Sequence, residues 1–363
     1  MRILQVINSL ATGGAEKLIL DTVPKLNEGG TTCDVALLDA TPHSFLKQLE
    51  ETGSCKIHTL AKGSVYSPKH IFKLRKLFKE YDLIHVHLFP GLYWAAMAKW
   101  LSGSKVKMVF TEHNTSNRRR GTLMKWVDRW MYKKYDKIVA IAGEVEQNLQ
   151  AHLKAPASKF VRIPNGVDIA KIRNAVPKTK TELDIYESHR VIIQVSSFTE
   201  QKDQATLIKA MAHLEQPTAL LLVGKGPKMD ECKMLAYELQ HKGAIHFTGA
   251  RYDVPALLKM ADVVVLSSHF EGLSLSSIEG MASGRPFVAS AVPGLTPVVK
   301  GAGVLFEEGN DKDLADKLNK LLADSQYAKE VAIACKQRAS EYDIHVMVQK
   351  LNTLYRALWE NQN

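Results

Sequence analysis

The sequence predicts an α/β protein made of two doubly wound parallel-sheet domains. Apolar, β-branched runs of strand length alternate with longer stretches whose apolar residues recur at helical spacing. The alternation occurs twice, on either side of a polar stretch at 169–189 that has no clear apolar period. A chain of 363 residues is also too long for one ordinary core, so about two domains is the natural expectation.

The first series opens with RILQVI, a strand, and GAEKLILDTVPKLNEG, a helix. CDVALL, LIHVHL, KMVFTEHN and KIVAIA follow as strands, and FVRIPNGVD closes the series on an Asn-Gly turn signal after proline. PKHIFKLRKLFKEY, YWAAMAKWLSG and the basic GTLMKWVDRWMYKKY lie between them as helices. The second series runs RVIIQVSSF, ALLLVG, AIHFTG, VVVLSS and RPFVAS, again with helices between. Strands separated by helices build parallel βαβ units with helices on both faces of the sheet. The expected organisation is an N-terminal domain over 1–168, a linker over 169–189 and a C-terminal domain over 190–340. A last amphipathic helix over 341–363 is expected to pack back toward the N-terminal domain. Two open sheets of this kind, facing each other, bring their strand carboxyl ends to a central cleft where ligands bind.

Composition narrows the partners. No apolar run reaches the roughly 18 to 20 residues that span a bilayer. MRILQVINSL runs straight into ATGGAEK, which suits a first strand better than a leader peptide. Cys33, Cys55, Cys232 and Cys335 form no CxxC pair, so neither a disulfide framework nor a zinc site follows, and reduced cytoplasmic thiols are expected. Residues 1–168 hold 25 Lys and Arg against 15 Asp and Glu, whereas 169–363 hold 23 of each. The whole net charge of +10 therefore sits in the first half. Phosphates or an anionic membrane surface suit such a half, with solvated surface charge as the plain alternative.

HFEGLSLSSIEGMASGRP, residues 269–286, places Glu271 and Glu279 in an otherwise small, apolar stretch. VVVLSS is the strand before it, HFEGLS the loop at the strand's carboxyl end, and LSSIEGMASG the following helix. The helix N-terminus, at Gly272, Leu273, Ser274 and Leu275, carries free backbone N–H groups and a positive dipole end, which suits a phosphate. Carboxylates bind vicinal sugar hydroxyls, each accepting two hydrogen bonds. A phosphate with hydroxyl-bearing groups on both sides describes a nucleotide sugar, with Glu279 on the ribose and Glu271 on the transferred sugar. Two glutamates on a helix surface are the plain reading of the spacing alone.

FEGLSLSSIEGMASGRPFVAS resembles the E-x7-E region of glycosyltransferase family 4, retaining enzymes with the GT-B fold of two Rossmann-like domains facing a central cleft. The resemblance covers nearly the whole chain. GGAEK, LIHVH, FTEHN, VRIPNGVD, SSFTEQKD, LLVGKGP, FTGARYDVPALLKMADVVVLSS and GVLFEEGNDKDLADKLNKLL stand in the family's order and spacing. It implies an acceptor-binding N-terminal domain and a C-terminal domain for the nucleotide sugar. Gly13 and Gly14 match the glycine loop beside the donor phosphates and acceptor. His113 matches the active-site histidine next to the sugar, Lys202 the lysine that pairs with the diphosphate, and Arg251 a position that contacts the base through its backbone. His113 and Glu271 are the implied catalytic residues.

Three positions depart from the family pattern. Ser197 stands where a second diphosphate-binding Arg is usual, a charge-assisted contact worth roughly 1.5 to 3 kcal/mol. Gly280 turns the usual EAMA into EGMA, at a slight expected cost to the helix, and Pro297 replaces the usual Glu of GGxPE. Other motifs read blandly. Gly224 and Gly226 lack the third glycine of a dinucleotide fingerprint and suit a tight turn. Asp311 to Asp313 suit a capped helix start better than a metal site. His85 and His87 share a strand face, where one could border the acceptor or simply be hydrogen-bonded. Arg118 to Arg120, Trp126, Trp130 and Tyr132 suit a membrane interface or a core-facing aromatic stripe better than nucleic acid.

The implied activity is retaining transfer of a hexose from a UDP- or GDP-sugar to a sugar or lipid-diphosphate-linked acceptor, in surface polysaccharide biosynthesis. No cofactor, metal or nucleic acid is expected. The implied location is cytoplasmic, peripheral on the inner face of the plasma membrane. A catalytically silent nucleotide-sugar-binding subunit and a GT-B sugar epimerase are the alternatives.

Overall fold

The structure, a computed structural model, describes residues 1–11, 13–113, 122–239 and 245–360. Chain contacts cluster into two units, Met1–Gly166 with Ile344–Asn363, and Val167–Asp343.

The first unit alternates β1 (Arg2–Ile7), α1 (Gly14–Glu28), β2 (Thr32–Leu37), α2 (Ser44–Thr52), β3 (Ile57–Thr59), α3 (Lys69–Leu77) and β4 (Leu83–His87). It continues with α4 (Gly91–Ser102), β5 (Lys107–Glu112), α5 (Thr122–Tyr132), β6 (Lys137–Ala140), α6 (Gly143–Leu153) and β7 (Phe160–Arg162). The strands form one parallel sheet in the order β3-β2-β1-β4-β5-β6-β7, which reverses direction between β1 and β4. Successive residues of a strand face opposite sides. Leu4, Val6, Ile84, Val86, Met108 and Phe110 enter an apolar core with side chains of α3 to α5. On the opposite side Gln5, His85, His87 and Thr111 are polar and buried.

The second unit runs α7 (Ile169–Asn174), β8 (Arg190–Val195), α8 (Gln204–Ala210), β9 (Thr218–Val223), α9 (Met229–Glu238), β10 (Ile245–Gly249) and α10 (Val254–Met260). β11 (Val263–Leu266), α11 (Leu275–Ala282), β12 (Phe287–Ser290), α12 (Thr296–Val299), β13 (Val304–Phe306), α13 (Asp311–Ala323) and α14 (Ser325–Ser340) complete it. Its six parallel strands lie in the order β10-β9-β8-β11-β12-β13, reversing between β8 and β11. β9 and β11 are buried along their whole length, which explains their continuous Leu and Val runs. The chain's last helix, α15 (Ile344–Glu360), belongs to the first unit and packs on α1.

The polar stretch 169–189, expected as a linker, carries α7 and clusters with the second unit. Asp168 caps α7 by accepting from the Lys171 backbone N–H at 3.0 Å, and Ile172 and Ile185 are buried. β3 and β13, each three residues long, are sheet-edge strands that periodicity alone does not reveal. Among the described residues no helix is long and apolar enough to cross a membrane.

Candidate active site

In open α/β sheets ligands bind beyond the carboxyl ends of the strands where the strand order reverses. In the second unit that place lies between β8 and β11, and the loops leaving those strands carry Lys202 and Glu271. Buried side chains pin the Lys202 backbone. Gln194 Nε2 donates to its carbonyl at 2.9 Å, and the Ser267 hydroxyl, 3.2 Å from that carbonyl, donates to the adjacent Asp203 carbonyl at 2.7 Å. The Lys202 ammonium closes on Glu271 Oε1. Ser268 Oγ donates to the same oxygen at 2.7 Å. Both bonds fall on Oε1 of a carboxylate that is only 7% exposed. Gly294 makes the loop possible, because a Cβ there would sit 2.0 Å from the Glu271 carbonyl oxygen and 2.6 Å from that of Gly272.

Gly272, Leu273 and Ser274 lead from Glu271 into α11, and Leu275 is its first residue. Ser274 is the extended N-cap residue, and its hydroxyl makes no capping bond to the first turn. The first turn therefore keeps backbone N–H donors available to an anion. Glu279 lies half-buried on α11 itself. Gly280 is a packing requirement, since a Cβ would stand 2.7 Å from Phe287 Cδ2 and 2.9 Å from Val264 Cγ1. The departure from the usual alanine thus follows from the partners that cross beneath it. Arg251 holds Asp253 through two bonds, Nε to Oδ1 at 2.9 Å and an Nη to Oδ2 at 2.6 Å. Ser197 is exposed. Gly224, with φ at +143°, and Gly226 press against the Ser196 and Phe198 carbonyls, locking the loop after β9 to the loop after β8.

In the first unit the order reverses between β1 and β4. Gly13 is extended before α1, and Gly14 begins the helix. The Glu16 carboxylate lies against Gly13, where an added Cβ would stand 2.2 Å from its Oε2, and burial raises its pKa above the usual carboxylate value. His113 follows β5 directly. Its Nε2 lies 3.0 Å from His87 Nδ1, and His87 Nε2 lies 2.8 Å from Gln5 Oε1. His85 bonds Tyr355 of α15 through Nδ1 at 2.6 Å and Thr111 through Nε2 at 2.7 Å. Burial lowers all three imidazole pKa values, to about 3 for His85 and about 4 for His113, with His87 well below the ordinary range. For His85 and His87 the neighbouring rings lower it further. All three rings are therefore neutral at neutral pH. A cavity of about 30 Å³ adjoins them, large enough for water, and Thr22 on its lining has a buried Oγ1 with no hydrogen-bond partner among the described residues.

Sequence reading finds His113, Lys202, Glu271 and Glu279 but passes over Gln5, Ser268, Gly294 and Tyr355. Only Gln5 leaves a trace, as a polar residue within an apolar strand.

The remaining motifs resolve simply. Asn310 caps α13, accepting from the Asp313 N–H at 3.0 Å, and Asp311 and Asp313 occupy the first turn. Among the described residues no group of three or more His, Cys, Asp or Glu could hold a metal ion. Tyr132 is buried, whereas Trp126 is 72% exposed and Trp100 and Trp130 pack edge to face on the surface. Arg118 to Arg120 lie outside the described residues.

Residues 12–171 match the family described as Glycosyltransferase Family 4, and residues 176–339 that described as Glycosyl transferases group 1. N-acetyl-alpha-D-glucosaminyl L-malate synthase of Bacillus anthracis is 26% identical over 283 residues, 76% of this chain and 74% of that protein. UDP-Gal:alpha-D-GlcNAc-diphosphoundecaprenol alpha-1,3-galactosyltransferase of Escherichia coli is 26% identical over 306 residues, 79% of each. The crystal structure of Anabaena HepE with UDP and glucose has a TM-score of 0.85 at 22% identity, covering 98% of this chain and 100% of that one. Two family matches, one on each parallel-sheet unit, together with these likenesses in sequence and fold, lead to one conclusion: the chain belongs to the family 4 glycosyltransferases and has the GT-B fold.

Proposed function

We propose that this chain is a retaining glycosyltransferase that moves a hexose from a nucleoside diphosphate sugar to a hydroxyl of a sugar or lipid-diphosphate-linked acceptor. The reading is carried by Glu271, a buried carboxylate tied to Lys202 and Ser268 immediately before the N-terminus of α11. A diphosphate there would take the backbone N–H groups of Gly272, Leu273, Ser274 and Leu275 and the Lys202 ammonium. These donors are fixed before the reaction, so they stabilise the leaving group's charge without reorganising. Glu271 Oε2 would accept from hydroxyls of the transferred sugar, and Glu279 from the ribose. Arg251 would contact the base through its backbone. Gly13 and Gly14 would border the donor phosphates once the Glu16 carboxylate turns aside or is protonated.

In the transfer step the bond from the sugar's anomeric carbon to the leaving phosphate breaks. The acceptor oxygen bonds that carbon on the same face, and its proton passes to the departing phosphate. His113, neutral and hydrogen-bonded, would support the positive charge developing on the sugar rather than attack it. No residue in this scheme needs a metal or cofactor.

The Escherichia coli relative's name specifies UDP-Gal and a diphosphoundecaprenol-linked acceptor, which supports a lipid-diphosphate-linked acceptor here. Surface polysaccharide assembly at the inner face of the plasma membrane is part of the same proposal. The exposed tryptophans beside Arg129 and Lys134 support an anionic membrane surface as partner. Exposed Ser197, in place of a cation, favours the second reading of a silent nucleotide-sugar-binding subunit. Incubation with UDP- and GDP-hexoses and acceptors, followed by NMR of the product, separates the readings. An axial donor should yield an axial product. Inverted configuration overturns retention, and donor binding without turnover supports the silent subunit.

A further inference from the structure

The first unit buries a polar chain whose proton positions can be worked out from its ends. The Gln5 side-chain nitrogen lies 3.3 Å from the Tyr355 hydroxyl and 3.6 Å from Cys33 Sγ, and its oxygen lies 2.8 Å from His87 Nε2. An amide oxygen only accepts, so His87 carries its proton on Nε2. A neutral ring has one N–H, which leaves His87 Nδ1 as an acceptor. His113 must then donate from Nε2, and its Nδ1 is unprotonated. On the other branch Tyr355 accepts from Gln5 and donates to His85 Nδ1, so His85 donates from Nε2 to Thr111.

One choice therefore governs three histidines: which way the Gln5 amide faces. Reversal would put the proton of His113 on Nδ1. The two N–H bonds of Gln5 find two acceptors on the Tyr355 and Cys33 side. Toward His87 they would find one, and the second would be left unpaired in a buried site, which is costly.

We propose that Gln5, His87 and Tyr355 are positioning residues that lock His113 in the Nε2–H tautomer and so keep its Nδ1 as an acceptor for a substrate hydroxyl. The α15 helix thereby controls the state of a residue more than 200 positions away in the chain. Its use in transfer rests on the proposed function, whereas the tautomer itself does not.

The test is long-range proton–nitrogen correlation NMR on the full chain with nitrogen-15 histidine, with His113 assigned by its loss in His113→Gln. The wild type should show His113 protonated at Nε2 and bare at Nδ1. Gln5→Met, which removes the accepting oxygen, and Tyr355→Phe, which removes the anchor of the amide, should each give His113 as mixed tautomers. In both, kcat should fall roughly tenfold or more while the donor KM holds. His113 protonated at Nδ1 in the wild type overturns the proposal. So does a folded Gln5→Met or Tyr355→Phe protein that keeps both the tautomer and the rate. If the wild type transfers no sugar, the transferase reading fails, and the spectrum still decides the tautomer.

Discussion

The Lys202 ammonium and the Glu271 carboxylate form an ion pair almost wholly out of water, with side-chain exposures of 16% and 6%. Such a pair is costly to bury and more costly to break, because the surviving charge is left without its partner. Glu271→Ala is expected to destabilise the protein by about 3 kcal/mol. Glu271→Gln, which keeps an acceptor for Lys202 and Ser268, should cost about half as much. Urea unfolding of both proteins measures this, and equal stability of Glu271→Ala and wild type would contradict the pairing.

Gly280→Ala reverses a departure from the family and should nevertheless harm the protein. Alanine is the better helix former by about 1 kcal/mol. Its Cβ would stand 2.7 Å from the Phe287 ring, however, in a fully buried contact. Overpacking of this kind costs about 1 to 3 kcal/mol and should outweigh the propensity. A lowered melting temperature is expected, with partial recovery when Phe287→Leu is added. A raised melting temperature in the single variant would show that the ring can yield.

The buried histidines set a pH dependence of stability. His85, His87 and His113 have pKa values lowered by burial, so the unfolded chain takes up protons from about pH 6.5 downward while the folded chain does not. His113 joins at about 4 and His85 at about 3. Between those limits the unfolded state binds more protons, and stability falls as pH falls, by up to about 1.4 kcal/mol per pH unit for each group. Above about pH 6.5 these groups contribute no slope. Unfolding followed from about pH 7 to about pH 5 should show the decline, and a flat profile would contradict neutral burial.

The path from sequence to site was uneven for physical reasons. Alternating apolar runs revealed the long strands because most of them bury whole rows of Val, Ile and Leu, although β10 is only half-buried. β3 and β13 escaped because three residues show no period. α7 escaped because only Ile172 among its six residues is buried, and a helix end capped by Asp168 looks like a polar linker. Glu271 and Glu279 were legible because carboxylates in an apolar stretch stand out. Ser268 and Gly294 were not, since their roles lie in backbone approach and in a partner reached through the fold. Gln5 and Tyr355, 350 residues apart, meet only because α15 belongs to the first unit.

Trp126 and Trp130 are exposed on α5, beside the half-buried Arg129 and Lys134 and the exposed Lys133. Lys133→Glu and Lys134→Glu should each weaken sedimentation with phosphatidylglycerol vesicles by about fivefold or more at low salt. Trp126→Ser should weaken it at all salt concentrations. No sedimentation with anionic vesicles would contradict a membrane partner, and sedimentation unaffected by these changes would contradict the patch on α5.

The proposed nucleotide-sugar site of the second unit is tested most directly by the thermal shift of the purified protein with UDP, GDP and ADP and their sugar conjugates. A ligand at about 100 times its Kd adds about 2.7 kcal/mol of stability, which a melting curve resolves. One nucleotide and its sugar conjugate should raise the melting temperature, and Glu279→Ala should abolish the rise. No shift with any of them, or an undiminished shift in Glu279→Ala, would contradict the site.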